Sequence, residues 1–192
     1  MDLKGKKLIL SSASPRRREL LEGLGLDFTV DTKTSFIESY DRNTPLEQIP
    51  AMMSEGKSIG FHRLLDQDEI LLTSDTMVYC DDLVLGKPHG RDDAIKMLHL
   101  LSGRKHHVTT ALTLRSCRMC KTVSDTAFVH FKTLSDDEIN YYVDTFKPFD
   151  KAGAYGIQEW IGYIGITGIE GSFFTIMGLP VHLVYRELQR FI

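Results

Sequence analysis

Ser11-Ser12-Ala13-Ser14-Pro15-Arg16-Arg17 is the stretch around which the chain is organised. Before it, Lys7-Leu8-Ile9-Leu10 reads as a short buried strand; after it, Glu19-Leu20-Leu21 opens an amphipathic helix. Pro15 suits the first helical position, because its fixed φ fits and its missing N–H is not needed there. Ser14 is then the natural N-cap, with a hydroxyl able to accept from an early backbone N–H. A strand running into a serine-rich turn and a helix N-terminus aims unpaired N–H groups at one point, which makes an anion site. Arg16 and Arg17 add guanidinium forks that bind phosphate oxygens bidentately. The helix dipole disfavours positive charge in this turn, so helix energetics do not explain them. Taken alone, the stretch reads as a capped helix with two solvated arginines.

The remaining composition sets the frame. A chain of 192 residues makes one large domain or two small lobes and buries a real core. With 42% hydrophobic and 26% charged residues, disordered and fibrous classes are out. The formal net charge of −3 disfavours a nucleic-acid-binding module built on the Arg16–Arg18 cluster. No apolar run approaches the roughly 18 residues of a membrane span, so no membrane partner is expected. The start, Met1 to Lys7, lacks the apolar core of a signal peptide, and a cytoplasmic protein is expected. Three cysteines fit a reducing compartment. Cys117 and Cys120 form a C-x-x-C, but zinc would need His106 and His107 from across a hairpin, and a redox motif would open a helix. Lying between two strand-like runs, the pair reads as part of a turn.

Along the chain, a helix is predicted from Pro15 to Leu24, burying Leu20, Leu21 and Leu24, with Gly25 as its stop. Phe28-Thr29-Val30 is a second strand, followed by a polar, unpatterned stretch from Asp31 to Arg42. One helical turn near Thr44 precedes a helix from Pro50 to about Leu65, with Lys57 between core-facing Met53 and Phe61. Ile70 to Thr73 is a buried strand ending at Asp75, and Met77–Cys80 pairs with Leu83–Leu85 as a hairpin. A helix starts at Asp92 and stops at Gly103. Val108–Leu114 and Val123–Phe131 are long alternating strands, paired antiparallel. Ser135 to Glu138 is a capping box opening a helix. Residues 147 to 179 read as irregular with one strand near Tyr163–Ile169, and Pro180 to Phe191 closes as a helix. Without clean βαβ alternation, this pattern gives a mixed α/β (α+β) fold with a largely antiparallel sheet flanked by helices.

The chain resembles the Maf family of nucleoside triphosphate pyrophosphatases. The resemblance lies in S-x-S-P-R-R followed by R-E-L-L, then Ser74-Asp75-Thr76, Gly86-Lys87-Pro88, Leu101 to Arg104, and Asp150 to Gln158. It closes with Ile169 to Ser172 and Met177 to Pro180, so the motifs run in family order across nearly the whole chain, 1–192 as a single Maf-like domain. It implies an elongated mixed sheet with two lobes and a central cleft, a Maf/ITPase-like architecture.

Hydrolysing a phosphoanhydride needs cations on the phosphates, a divalent ion, and a carboxylate for metal or water. The resemblance assigns Asp75 as proton acceptor and Thr76 as substrate-discriminating; by itself Asp75 reads equally as a turn former. Lys87 is presented from a rigid Gly-Lys-Pro turn, and Lys57 aligns with the lysine after the family's second helix start. Both would bind phosphate with Arg16, Arg17 and Ser11, although each lysine alone reads as a solvated side chain. Glu38 matches an acidic residue after strand two, and with Asp75 is a candidate ligand for Mg²⁺ or Mn²⁺. Gln158 carries a donor and an acceptor that suit the edge of uracil or thymine; a strand-capping role is the structural alternative.

Family members acting on dTTP and UTP carry S-P-R-R, an Asp-Thr pair and an Ile-Gln pair, and Arg16, Thr76 and Gln158 stand in that pattern. A sister group acting on 7-methyl-GTP carries other residues there and is the nearest rival. A non-catalytic nucleotide-binding regulator of cell division is the rival of a different class. Two departures border the implied cleft. Glu159-Trp160-Ile161-Gly162-Tyr163 replaces a glycine-rich continuation, and Phe174 and Thr175 replace Tyr and Asn. A nucleoside triphosphate is the implied partner, and a homodimer is left open.

Overall fold

A computed structural model describes residues 2–41 and 43–192, so Arg42, the end of the irregular stretch, lies outside the described residues. Its strands are β1 (Lys7–Leu10), β2 (Phe28–Val30), β3 (Glu69–Cys80), β4 (Leu83–Leu85), β5 (Lys105–Arg115), β6 (Cys120–Phe131) and β7 (Ile166–Glu170). Its helices are α1 (Pro15–Gly23), α2 (Ile49–Ile59), α3 (Arg91–Leu101), α4 (Asp136–Phe146), α5 (Trp160–Gly165), α6 (Phe173–Met177) and α7 (Val181–Leu188). Among the described residues the strands form one seven-stranded sheet in the order β2-β1-β3-β5-β6-β7, with β4 beside β3. β1 runs parallel to both neighbours, whereas β3–β4 and β6–β7 are antiparallel. β5 and β6 are antiparallel as well, since Thr113 meets Thr122 at 3.0 Å and Thr109 meets Thr126 at 2.9 Å. The mixed, largely antiparallel sheet read from the sequence is the observed one.

The chain divides into two compact units. The first holds residues through Asp75, Thr110–Asp125 and Gly178–Ile192; the second holds Thr76–Thr109 and Thr126–Met177. In the first, Leu8, Ile9 and Leu10 are buried, as expected of a strand paired on both sides and covered on both faces. Helix α1 buries Leu20 and Leu21, while Leu24 lies outside it as the C-cap and is only partly covered. Ile9, Phe61, Leu65 and Leu71 form one apolar cluster. In the second unit, α4 opens on the predicted capping box: Ser135 Oγ accepts from Glu138 N–H, and the Glu138 carboxylate accepts from Ser135 N–H.

Three elements differ from the sequence reading. β3 does not end before Asp75 but continues to Cys80, because its polar residues find partners: Ser74 Oγ donates to Ala111 O at 2.8 Å. Helix α2 stops at Ile59, not near Leu65, because Phe61 leaves to bridge with Thr34 and Ser35 N–H takes the Gly60 carbonyl at 2.8 Å. The stretch expected to be irregular contains α5 and α6, and its strand begins only at Ile166. Gly162 makes α5 possible, since a Cβ there would fall 1.8 Å from the Ile157 carbonyl oxygen. Cys117, in the β5–β6 turn, and Cys120, the first residue of β6, are free and exposed, and Ser116 Oγ accepts from the Arg118 and Met119 N–H groups of that turn.

The second unit also contains a buried histidine with a consequence for acid stability. His106 Nε2 pairs with Tyr155 OH at 2.7 Å, its ring stacks on Phe131, and Nδ1 is buried without a partner. Burial pushes its pKa down to about 3. A depressed histidine contributes stability that is complete above the unfolded pKa and is lost as pH falls toward the folded one. Between pH 7.5 and 5 this amounts to about 2 kcal/mol. Denaturant unfolding of His106→Phe should lose that part of the pH dependence, whatever its absolute stability; an unchanged slope would assign the acid sensitivity elsewhere.

Candidate active site

Helix α2 and strand β3 run side by side, and their spacings match. Ser54 and Lys57 are three apart on α2 and share a face; Thr73 and Asp75 are two apart on β3 and share a face. Ser54 Oγ approaches Thr113 Oγ1 at 3.0 Å, and Thr73 Oγ1 donates to the Ser54 carbonyl at 2.7 Å. These buried hydroxyls fix the helix against the strand. One helical step on, Lys57 Nζ reaches Asp75 Oδ1 at 2.5 Å. The same ammonium lies 2.9 Å from Glu38 Oε1.

Glu38 arrives from a segment without regular structure, and glycines hold that segment in place. The Phe36 ring lies over α2, where a Cβ on Gly56 would meet its Cε2 at 2.2 Å and a Cβ on Gly60 would meet its Cβ at 2.8 Å. Only glycine at both positions permits this approach. The Glu38 side chain stays 63% exposed, while those of Lys57 and Asp75 are mostly covered.

Arg17 turns inward. Its Nε donates to Gly178 O at 2.8 Å, and Nη1 donates to Ser74 O at 2.8 Å and to Ser12 Oγ at 3.2 Å. Ser12, not Ser14, is therefore the hydrogen-bonding serine of the turn, and it also accepts from Ser14 N–H at 3.3 Å. Ser14 occupies the N-cap position, but its side chain makes no cap bond. Ser11 N–H extends the pairing of β1 by donating to Leu72 O at 2.9 Å. Arg16 is half-buried and close enough to Arg17 for its charge to press on that guanidinium.

The first unit thus gathers Arg16, Arg17, Lys57, Glu38 and Asp75 into one charged group. Burial raises the Asp75 pKa above the ordinary carboxylate value; Lys57 and Arg17 pull it back, and Glu38 pushes it further up. Its second oxygen, Oδ2, is buried and has no hydrogen-bond partner among the described residues. Such an orphaned acceptor awaits a water, a substrate proton or a cation. No cluster of three or more His, Cys, Asp or Glu residues suited to a metal occurs among the described residues. Asp75 and Glu38 are still two hard oxygen donors meeting at one ammonium, and Mg²⁺ is commonly held by one or two carboxylates plus substrate phosphate. The donor set fits that group.

Thr76, Lys87 and Gln158 belong to the second unit. In a regular strand, Thr76 projects from the face opposite Asp75. Lys87 is exposed and follows Gly86, whose carbonyl accepts from Gly153 N–H at 3.1 Å. Gln158 Oε1 is buried without a hydrogen-bond partner.

A family model described as Maf-like protein matches residues 7–191. This chain belongs to the Maf family. A relative from Phocaeicola vulgatus named dTTP/UTP pyrophosphatase is 46% identical over 98% of each chain. Relatives with the same name from Parabacteroides distasonis and Porphyromonas gingivalis are 45% and 43% identical over 99% of this chain and 98% and 96% of their own.

In this Maf protein the bulky residues after Gln158 build a helix. Trp160, in α5, meets the Tyr141 ring of α4 edge-on at 4.8 Å. Phe174 is 44% exposed and Thr175 is buried. Sequence reasoning missed the partners of Arg17, which lie 57 and 161 residues away at Ser74 and Gly178. It also missed how Glu38 is placed, although Gly56 in α2 and Gly60 just after it, four apart, were a readable sign of close approach.

Proposed function

We propose that residues 1–192 act as one catalytic domain that hydrolyses dTTP and UTP to the monophosphate and pyrophosphate. The observation carrying this reading is Asp75, a buried carboxylate with one oxygen on Lys57 and the other unpartnered. A pure binder has no need of such a group. The names of the relatives support the substrate class.

In the proposed reaction, Asp75 Oδ2 accepts a proton from water as its oxygen attacks the α-phosphorus. The bond to the bridging oxygen breaks, and pyrophosphate leaves. Arg16, Lys57 and Lys87 offset the charge of the phosphates, and Ser11 adds a hydroxyl. Arg17 contributes its charge to the same field while its N–H groups brace the loop. A divalent cation, Mg²⁺ or Mn²⁺, held by Glu38 and Asp75 would supply further charge offset on the phosphate oxygens. The free thiols support a reducing, cytoplasmic setting. No helix among the described residues is long and apolar enough to cross a membrane. The net charge of −3 supports action on free nucleotides rather than nucleic acid. Product analysis over a panel of nucleoside triphosphates, with and without Mg²⁺ or Mn²⁺, tests the reading. No pyrophosphate release from any of them would end it.

Gln158 and Thr76 would choose the base. A buried amide oxygen without a donor matches the N3–H of uracil and thymine, while the amide NH₂ meets a ring carbonyl. Cytosine offers a bare N3 there, so two acceptors face each other. Leaving one buried group unpaired costs about 1–3 kcal/mol. UTP and dTTP should therefore exceed CTP in kcat/KM by at least about tenfold. Gln158→Ala should shrink that ratio mainly by harming the preferred pair. Steady-state kinetics on the three substrates decide it, and a wild type that favours CTP would overturn the assignment.

A further inference from the structure

Glu159, which follows Gln158, is held from two sides. Lys151 Nζ lies 3.1 Å from Glu159 Oε1, and Tyr142 OH donates to Glu159 Oε2. The Lys151 and Glu159 side chains are 10% and 20% exposed, and Tyr142 is fully buried. Tyr142 OH also accepts from Gly156 N–H at 3.0 Å. Gly156 leaves room for the carboxylate, since a Cβ there would lie 2.8 Å from Glu159 Cδ. The backbone closes the same loop: Glu159 N–H donates to Gly156 O at 3.0 Å, and Gly162 N–H to Glu159 O at 2.8 Å. Although Glu159 sits at the N-cap of α5, its side chain makes no cap bond. It serves Lys151 and Tyr142 instead. Ile157 and Gln158 are thereby spanned between two fixed points, residues 156 and 159.

We infer that Tyr142, Lys151 and Glu159 are positioning residues for base choice, holding the Gln158 amide rigidly toward the pyrimidine edge. This inference rests on the function proposed above. A bare amide on a loose turn re-aims or flips at small cost and discriminates poorly; one whose flanking backbone is locked cannot. Lys151 completes the lock by pairing also with Asp150 Oδ1 at 2.7 Å. Glu159, one of the bulky residues after Gln158, thus tightens base selection rather than blocking it.

The test uses the full-length enzyme with Tyr142→Phe and Glu159→Gln. In each, the preference for UTP over CTP in kcat/KM should fall at least about threefold, a loss smaller than direct removal of one hydrogen bond. The fall should lie mostly in KM for UTP. The inhibition constant of inorganic tripolyphosphate, which has no base, should be unchanged. A merely structural role would weaken all substrates and tripolyphosphate together, and that outcome overturns the inference. An unchanged UTP:CTP ratio in the folded variants does so too. If Gln158→Ala abolishes a preference that both variants retain, this inference alone fails. If wild type shows no preference for any base, the functional reading beneath it fails. Should neither variant fold, hydrogen exchange in the wild type decides. The Gly156 and Glu159 amides should exchange slowly without nucleotide, and fast exchange there would overturn the lock.

Discussion

Asp75→Asn should lower kcat by about 10²–10⁴-fold while nucleotide affinity stays near that of the wild type. In the proposed reaction the buried Asp75 carboxylate takes the proton from water, and an amide of the same shape cannot. Lys57 keeps Glu38 as its partner at 2.9 Å, so the cation remains in place. Stability should not suffer. Burial raises the folded pKa of Asp75 above its ordinary value. The native state therefore holds the proton more tightly than the unfolded chain does. The resulting stabilisation is present below the unfolded pKa of about 3.9 and is lost as pH rises through the folded value. At neutral pH the ionised, buried carboxylate is a cost that asparagine removes. Turnover and denaturant midpoint, measured on the same preparation, give the answer. Near wild-type turnover in a folded variant would sink the role, and so would an activity loss that merely follows a collapse in stability.

Local patterns carried the elements of this fold, and distant pairings carried the differences. The Lys7–Leu10 strand, the capping box at Ser135 and the β5–β6 hairpin are each set by residues within a few positions of one another, so their readings held. Asp75 looked like a strand end because Thr73-Ser74-Asp75-Thr76 is polar, and polarity ordinarily marks a turn. What keeps the strand going is tertiary: Ser54, Ala111 and Lys57 satisfy those side chains from 18 to 37 residues away. Helix α2 shows the same limit. Its apolar spacing runs on to Leu65, but the pull of Thr34 and Ser35 on the residues after Ile59 has no local signature. Among the charged residues, the family resemblance picked out Lys57, Glu38 and Asp75, which the fold brings together. Motif order could not say which of two adjacent arginines faces inward, because that depends on carbonyls contributed by β3 and by Gly178.

That division between the arginines leads to the second large effect. Arg17→Ala should destabilise the fold by about 3–5 kcal/mol, whereas Arg16→Ala should cost about 1 kcal/mol or less. Arg17 is half-buried, and its guanidinium joins the serine turn, β3 and the residue before Leu179 through Ser12 Oγ, Ser74 O and Gly178 O. Each bond from a charged donor contributes about 1.5–3 kcal/mol, and truncation leaves buried acceptors unpaired. Arg17→Lys should recover little, because an ammonium cannot span three acceptors that a planar fork reaches. Removing Arg17 also strips a cation from beside Asp75, so the acid limb of kcat/KM should move to higher pH in any variant that folds. Arg16→Ala should act on binding instead, weakening triphosphate affinity about tenfold or more if Arg16 makes one charged phosphate contact. Arg18→Ala, on the exposed face of the same turn, should bind almost as wild type. Unfolding curves and nucleotide titrations on the three alanine variants separate these effects. If Arg17→Ala unfolds at the wild-type midpoint yet loses affinity as Arg16→Ala does, Arg17 is a ligand-facing residue and its bracing role is wrong.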